Sequence, residues 1–195
     1  MQHPEFLLIP ALMLSDYALT IAGARARSRS YGDHFRTEHY ELNPVWQKDV
    51  EKLRWLNPRH LLLTATITVF FGIFVESPGA DQASVESLEG LMLGAFGTVN
   101  GRHLGNLMTF AWLEHHRDAI DGTVTMSHEL MLGISAFQGF AFVVPSGLLA
   151  LLSPTPIVIG FFAGALTLLG AHAIWMLRYR RKRQRAAAAD PPPGR

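Results

Sequence analysis

The sequence predicts an all-α integral membrane protein, a helical bundle of five transmembrane helices with a short interfacial cytoplasmic helix. Three observations lead to this fold class. The chain has 195 residues and is 49% apolar, and its apolar residues are concentrated in five blocks. Each block approaches the roughly 20 apolar residues that a helix needs to cross a hydrocarbon core about 30 Å thick. Finally, the basic residues occupy alternate connections between the blocks.

The five blocks are expected to form the spans 6–24, 58–75, 88–113, 130–152 and 157–177. The second is the shortest, because Arg59 and His60 precede its apolar run and must reach toward the headgroups. The third is interrupted by polar residues. Buried helices of a soluble protein are the alternative, but five such blocks leave too little amphipathic sequence to cover a soluble core. Four spans is the other count that the pattern allows.

The distribution of the 17 basic residues predicts the orientation of the bundle. Eight lie between positions 25 and 59, seven lie from 178 onward, Arg117 lies between the third and fourth spans, and Arg102 lies inside the third. The segments 1–5, 76–87 and 153–156 contain no Lys or Arg. The positive-inside rule therefore places this multi-pass protein in the cell's inner (plasma) membrane, with its N-terminus outside and its C-terminus in the cytoplasm. All four tryptophans map to the inner interface.

The two ends of the chain are expected to differ. The N-terminus lacks the basic region and cleavage site of a signal peptide, so the first block is interpreted as a retained span. Residues 1–185 are expected to form a single membrane domain, and residues 186–195 are predicted to be a disordered cytoplasmic tail. The basic C-terminal flank is expected to contact anionic lipids of the bilayer rather than nucleic acid.

The connection between the first two spans contains a helix signal. Asn43 is a favourable N-cap residue and Pro44 suits the first helical position. The apolar residues that follow lie on one helical face, which predicts an interfacial helix over about 44–56 in the headgroup plane. Asn57 and Pro58 repeat the signal and open the second span.

Polar residues inside the spans mark a candidate site. An ionised side chain at this depth costs a few kcal/mol, so each needs a partner or a function. The first, third and fifth spans run in the same direction, which brings their polar residues to similar depths. The predicted polar centre, a solute-binding or ion-binding site, consists of Asp16, Thr20, Asn100, Arg102, His103, Asn106 and His172.

Three interpretations of this centre stay open. Asp16 and Arg102 could form a structural ion pair, with the asparagines bonding between helices. Asp16, Asn100, His103 and His172 could instead line a hydrated cavity that binds a cation or relays a proton. Two histidines and a carboxylate could also hold a transition metal.

Glycines recur every four residues in the third span, at Gly97, Gly101 and Gly105. Such a series forms a groove for the close approach of another helix. The groove is expected to receive the first or fourth span. Packing in a homodimer, or against a partner membrane protein, is the alternative.

A second polar cluster follows the third span and includes His115, His116, His128 and Glu129. These residues are candidate metal ligands of low weight, because adjacent histidines diverge on a helix and the zinc motif His-Glu-x-x-His is absent. Helix capping by Ser127 and the helix dipole explain the later pair. Metal content stays unknown and the sequence identifies no cofactor. It contains no cysteine and no motif for nucleophilic catalysis or nucleotide binding.

The segment Asp16-Tyr-Ala-Leu-Thr20, followed by Glu41-Leu-Asn43-Pro44, resembles small prokaryotic multi-pass membrane proteins of undefined activity. Those proteins carry an Asp-x-x-x-Thr span and then a Glu-x-Asn-Pro element. The resemblance covers about the first quarter of the chain. It implies a multi-pass inner-membrane protein and no catalytic residue, and it suggests that Asp16, Thr20, Glu41 and Asn43 act together at the inner mouth of the bundle.

The predicted function is the binding or translocation of a small solute, a cation or a proton through the polar centre. A non-catalytic membrane scaffold or subunit that packs against partner helices is the alternative. A metal-dependent membrane enzyme is the third hypothesis, and no residue carries a catalytic role in the preferred one.

Overall fold

A computed structural model describes residues 4–30, 32, 34–37 and 40–189. These residues form six α-helices, two short 3-10 turns and one pair of three-residue strands. The helices are α1 (Leu8–Ser30), α2 (Gln47–Glu51), α3 (Pro58–Val75), α4 (Gln82–His115), α5 (His128–Leu152) and α6 (Pro156–Ala189), and the strands are β1 (Phe35–Thr37) and β2 (Val124–Met126). The prediction of an all-α protein is confirmed.

Three helices are long and apolar enough to cross a membrane. They are α3, α5 and the part of α6 from Pro156 to Ala186. The expectation of five such helices is too high by this measure. In α1, Asp16 and the arginines at the C-terminal end of the helix lower the mean hydropathy. In α4, Glu89, Arg102 and His103 have the same effect. The polar residues that mark the candidate site are therefore among those that reduce the count.

The long helices extend beyond several predicted ends. α3 begins and ends at the predicted residues, whereas α1 continues to Ser30 and α4 begins at Gln82, where the Asp81 side chain accepts a hydrogen bond from the Ser84 backbone N–H. α6 continues through Ala189 into the predicted tail. Arginine and alanine are strong helix formers, which explains this continuation. Residues 190–195 lie outside the described part of the chain.

The predicted interfacial helix over 44–56 is reduced to one helical turn, α2. The Asn43 side chain accepts from the Val45 backbone N–H, and the Asn43 carbonyl accepts from the Trp46 N–H, so this segment forms a tight turn before the helix. Leu53 then adopts a left-handed φ of 50°. The signal at Asn43 was wrong as a helix start because asparagine bonds its own backbone equally well in turns.

The five long helices pack in the order α3, α1, α4, α6 and α5. Phe6 meets Phe71 and Tyr17 stacks on His60, so α1 and α3 run antiparallel. Buried apolar side chains from α1, α3 and α4 fill the space between these helices on the side of the α1 N-terminus.

Glycines set the close contact between α4 and α6, which run parallel. A Cβ atom on Gly90 would overlap the backbone of Ile157, and one on Gly94 would overlap the carbonyl of Phe161. Reciprocally, Gly160 faces the backbone of Ser87. Backbone contact of this kind requires residues without side chains.

The predicted glycine series therefore does not make the closest helix contact of α4. Gly97 and Gly105 face open space, with no described atom of another element within 4 Å of the position that a Cβ atom would occupy. Gly101 faces the Phe142 ring of α5, whose Cζ atom would be 2.6 Å from a Cβ atom. The predicted series contacts the fourth predicted span, α5, at Gly101, as expected. The closest glycine contact of α4 is with the fifth predicted span, because Gly90 and Gly94 match the glycine spacing of α6.

The connection before α2 and the connection after α4 meet in the parallel pair of β1 and β2, which the sequence did not indicate. Phe35 pairs with Val124 and Thr37 pairs with Met126. Arg27 secures β1 by donating to the Phe35 carbonyl and the Thr37 hydroxyl. The pair holds the loop that contains Tyr40 and Glu41 near the helical bundle.

Candidate functional site

The candidate site is centred on His103, a buried residue in the central part of α4. Its Nε2 atom lies 3.3 Å from the Asp16 carboxyl group, 3.3 Å from the Thr20 hydroxyl and 3.2 Å from the Arg102 guanidinium. The spacing of Asp16 and Thr20, one turn apart in α1, directs both toward α4. The structure thus brings four of the predicted residues together around one imidazole nitrogen.

Arg102 joins the other side of the centre to α5 and α6. Its Nη1 atom donates to the Ser135 hydroxyl and lies 3.5 Å from His172 Nε2. The Ser135 hydroxyl lies 2.7 Å from His172 Nε2, and His172 Nδ1 lies 2.8 Å from the Leu168 carbonyl oxygen. Arg102 therefore contacts neutral groups from two helices in addition to His103.

Asp16 has a different partner from the one expected in a structural ion pair. Among the described residues, its carboxyl group contacts His103, whereas Arg102 bonds to Ser135 and the histidines. Asp16 and Arg102 interact electrostatically at longer range. The reason is geometric: adjacent positions in α4 point about 100° apart, so only His103 faces α1 directly.

Asn100 connects α1 and α4 one turn from His103. It accepts from the Ser15 hydroxyl at 2.6 Å and donates to the Leu12 carbonyl at 2.9 Å. Its amide also donates to the Phe96 carbonyl of its own helix. These contacts use both amide hydrogens and the amide oxygen, so Asn100 is a packing residue at the edge of the centre.

Two cavities of about 280 Å³ each meet at the centre. The first lies toward β1 and β2, and its polar lining includes Asn106, Gln138 and Ser135. The second extends along α1 and α3 and is lined by Asp16, Thr20 and His172. The two cavities share three lining residues, Glu41, Arg102 and His103.

The second cavity also unites the residues named by the resemblance. Asp16, Thr20, Glu41 and Asn43 all line it. The Glu41 carboxylate accepts from the Asn43 backbone N–H at 2.7 Å. The four residues that the resemblance named therefore line one cavity.

Burial changes the proton affinity of the loop residues that face the centre. It raises the pKa of Glu41, against the opposing effects of the Asn43 backbone N–H and Arg102. Burial and the neighbouring Glu41 raise the pKa of Tyr40 to about 12, so its phenol stays protonated. The guanidinium carbon of Arg27 lies 5.6 Å from the centroid of the Tyr40 ring.

The candidate metal ligands after α4 do not converge. His115 and His116 each bond to a backbone carbonyl of α4, and Glu129 pairs with Arg180 of α6. His128 packs against Tyr179. Among the described residues, no three acidic or histidine side chains are placed to hold one ion.

Four residues of the centre or its approaches were not singled out from the sequence: Ser15, Ser135, Tyr40 and Glu89. Single serines are common in spans and give no signal of their own. Glu89 is only 7% exposed and lies three turns from Asn100 on the stripe of α4 that also carries His103. Because Glu89 lies on the same helical face as Asn100 and His103, the sequence could have indicated it as a further polar residue of α4.

No protein-family model, no curated protein and no solved structure matches this chain. A functional proposal for the chain therefore rests on the geometry of the centre.

Proposed function

We propose that this chain is a five-span membrane protein whose polar centre binds or translocates a small solute, a cation or a proton. Among these three, we propose the proton as the species that the centre binds and translocates. One observation carries the proposal. The carboxyl group of Asp16 and the guanidinium of Arg102 both lie within 3.3 Å of the same nitrogen of His103. That nitrogen can accept a hydrogen bond from Arg102 or donate a proton toward Asp16, but not both at once.

The two arrangements differ by the position of one proton. When Asp16 carries it, His103 Nε2 has no proton and accepts a hydrogen bond from Arg102. When His103 carries it on Nε2, the imidazole donates to the Asp16 carboxylate and its contact with Arg102 breaks. A proton that moves between them is therefore coupled to the contacts of Arg102.

The charges around the centre favour a cationic cargo. Asp16 and Glu41 are two acids that interact with one guanidinium, that of Arg102. With both acids ionised, the three groups sum to one negative charge in a buried site. Binding one proton, or one monovalent cation, neutralises this excess. The raised pKa of Glu41 is consistent with a proton.

The five-span arrangement is supported by helix length and direction. α1 has 23 residues and α4 has 34, so each is at least about 35 Å long at 1.5 Å per residue. α1, α4 and α6 run parallel to one another, and α3 and α5 run against them, as five consecutive spans require. The basic residues of α1 and α6 then lie on the cytoplasmic side of an inner membrane, with the N-terminus outside.

Glu89 is a buried acid on the outer side of the centre, and apolar side chains lie between it and the centre. Glu89, Asn100 and His103 share the face that packs on α1. On the inner side, the first cavity contains Asn106, one turn from His103, and Gln138 of α5 also lines it. Protons move along chains of side chains and water in membrane transporters.

Proteoliposomes with an internal pH dye test the proposal. Under an applied potential, we expect the wild-type protein to pass protons and Asp16→Asn to abolish the flux while leaving the fold intact. Asp81→Asn is the matched control, because Asp81 is exposed at the start of α4 and asparagine is an equally good cap. Equal flux through Asp16→Asn would rule out the proton role, and flux that follows sodium or potassium would identify another cation.

A scaffold is the second candidate, and the open glycines of α4 favour it. Gly97 and Gly105 have room for an approaching helix, and Leu104 and Met108 beside them are exposed. A partner membrane protein or a second copy could pack there. In that case Gly97→Leu should abolish co-purification or dimerisation without changing proton flux. The metal-dependent enzyme has the least support, since its candidate ligands are separated.

A further inference from the structure

A basic pocket lies between the C-terminal parts of α1 and α4 and the loop after α2. Its volume is about 630 Å³. It is separate from the polar centre and shares no lining residue with the two cavities there. The described residues that line it are Ala22, Arg25, Ser28, Arg29, Lys52, Leu53, Trp55 and Leu107.

Arg25 forms the inner wall of this pocket and is held from two sides. Its Nη2 atom donates to the Leu53 carbonyl at 2.8 Å, and its guanidinium carbon lies 4.8 Å from the centroid of the Trp55 ring. The Nε atom is buried and has no hydrogen-bond partner among the described residues. An N–H of this guanidinium therefore has no acceptor within the described protein and is a donor that a bound anion could satisfy.

The loop adopts an unfavourable conformation to build this wall. Leu53 has a φ of 50°, in the left-handed region that a branched side chain rarely occupies. In this loop the Leu53 carbonyl accepts from Arg25, and Trp55 and Lys52 line the pocket. Strain of this kind persists at binding sites, where the surrounding structure enforces it.

The charge of the pocket selects an anion. Arg25, Arg29 and Lys52 are cations, and no described lining residue is acidic. Arg29 is only partly neutralised, because Glu114 lies 3.7 Å away and is not a lining residue. The Ser28 hydroxyl adds a further donor at the rim. Several donors around one volume suit a group with several anionic oxygens, such as a phosphate.

The position of the pocket identifies the source of that phosphate. Ala22 of α1 and Leu107 of α4 give it an apolar floor. Trp55 is 50% exposed at the level where indole rings meet lipid headgroups. We propose that this pocket binds the headgroup of an anionic phospholipid, with an acyl chain against the floor. The proposal uses the membrane placement given above and is independent of the proton role.

Native mass spectrometry of the full-length protein in detergent tests this site. The probes are phosphatidylglycerol and phosphatidylcholine with identical acyl chains. We expect wild-type protein to retain one phosphatidylglycerol in preference to phosphatidylcholine. Arg25→Gln and Lys52→Gln should each weaken this binding about five-fold, the effect of one basic residue near an anionic lipid. Lys52 is exposed, so its variant should fold even if the Arg25 variant does not.

Arg36→Gln is the matched control, because it removes the same charge from an exposed position in β1 that does not line the pocket. Unchanged binding by this variant supports a built site. An equal loss in Arg36→Gln, equal retention of phosphatidylcholine, or displacement of the lipid by inorganic phosphate would overturn the proposal. A protein that inserts into vesicles on reconstitution yet shows no lipid preference refutes this site alone, whereas failure to insert refutes the membrane placement.

Discussion

At the scale of single residues, His103 defines what the centre can do. Its Nδ1 atom has no hydrogen-bond partner among the described residues, and its Nε2 atom is contacted by three polar groups. A single imidazole nitrogen therefore has three potential hydrogen-bond partners. In the proposed function, the position of the proton decides whether Arg102 or Asp16 is hydrogen-bonded to His103 Nε2, so protonation of this residue changes its contacts.

Glu41 gives a pH-dependent prediction at this scale. Burial raises its pKa above the ordinary value of 4.5, so the folded protein keeps a proton that the unfolded chain releases as pH rises. Stability therefore decreases with increasing pH between the ordinary and the raised pKa, and the penalty persists above both. Glu41→Gln should remove this slope. Thermal unfolding from pH 4 to pH 8 measures it.

The Glu41 variant is judged on the slope rather than on stability at one pH, because the substitution also removes a charge near Arg102. Glutamine keeps an oxygen that can accept from the Asn43 N–H. Parallel pH profiles for wild type and Glu41→Gln would contradict a buried, proton-binding Glu41.

Much of the centre could be predicted from individual residues. Asp16, Arg102 and His103 are rare within apolar blocks, so their positions alone indicated a shared site. Ser135 could not be identified this way, because a hydroxyl group in a membrane helix costs little free energy and serines are therefore common there. The partner of Asp16 could not be predicted either, since the rotation of α4 about its axis decides whether Arg102 or His103 faces α1.

At the scale of elements, the contact between α4 and α6 depends on paired glycines. Gly94→Ala should destabilise the protein by about 1–3 kcal/mol, because its methyl group would overlap the Phe161 carbonyl, a backbone atom that cannot rotate away. Gly97→Ala is the matched control, since open space surrounds it and alanine favours a helix. Denaturant or thermal unfolding in detergent measures both. Equal stability of the two variants would contradict this packing.

The glycine series illustrates what an element's sequence can predict. Spacing of four indicated close packing of α4, and the structure places Gly101 against α5 and Gly90 and Gly94 against α6. Spacing did not select which glycines make the closest contact, because Gly90 and Gly94 are also four residues apart in α4 and the glycines of α6 decide between them. The short α2 differs from its prediction for a local reason, the turn that Asn43 forms with its own backbone.

At the scale of the whole molecule, the proposed placement requires that successive connections lie on opposite sides of the membrane. The chain has no cysteine, so single introduced thiols report the side of each loop. We expect Ser77→Cys and Ser153→Cys to react with an impermeant reagent from outside, and Thr123→Cys and Ala188→Cys only after the membrane is opened. All four positions are exposed.

This labelling also decides between the five-span arrangement and the three helices that meet the criterion of length and composition. Ser77 and Thr123 flank α4, so reaction of both from the same side would contradict a spanning α4. The sequence alone could locate the apolar blocks and indicate an orientation. It could not predict the order α3, α1, α4, α6 and α5, because that order depends on contacts between helices distant in the chain.

The most direct test of the central claim is infrared spectroscopy of the protein in lipid, in water and in heavy water. We predict a protonated carboxyl band that exchanges and titrates, with a component that is lost in Asp16→Asn and kept in Asp81→Asn. Asp81 is a suitable reference because hydrogen bonds from Ser84 lower its pKa and keep it ionised. An unchanged carboxyl band in Asp16→Asn would contradict a proton held at this centre.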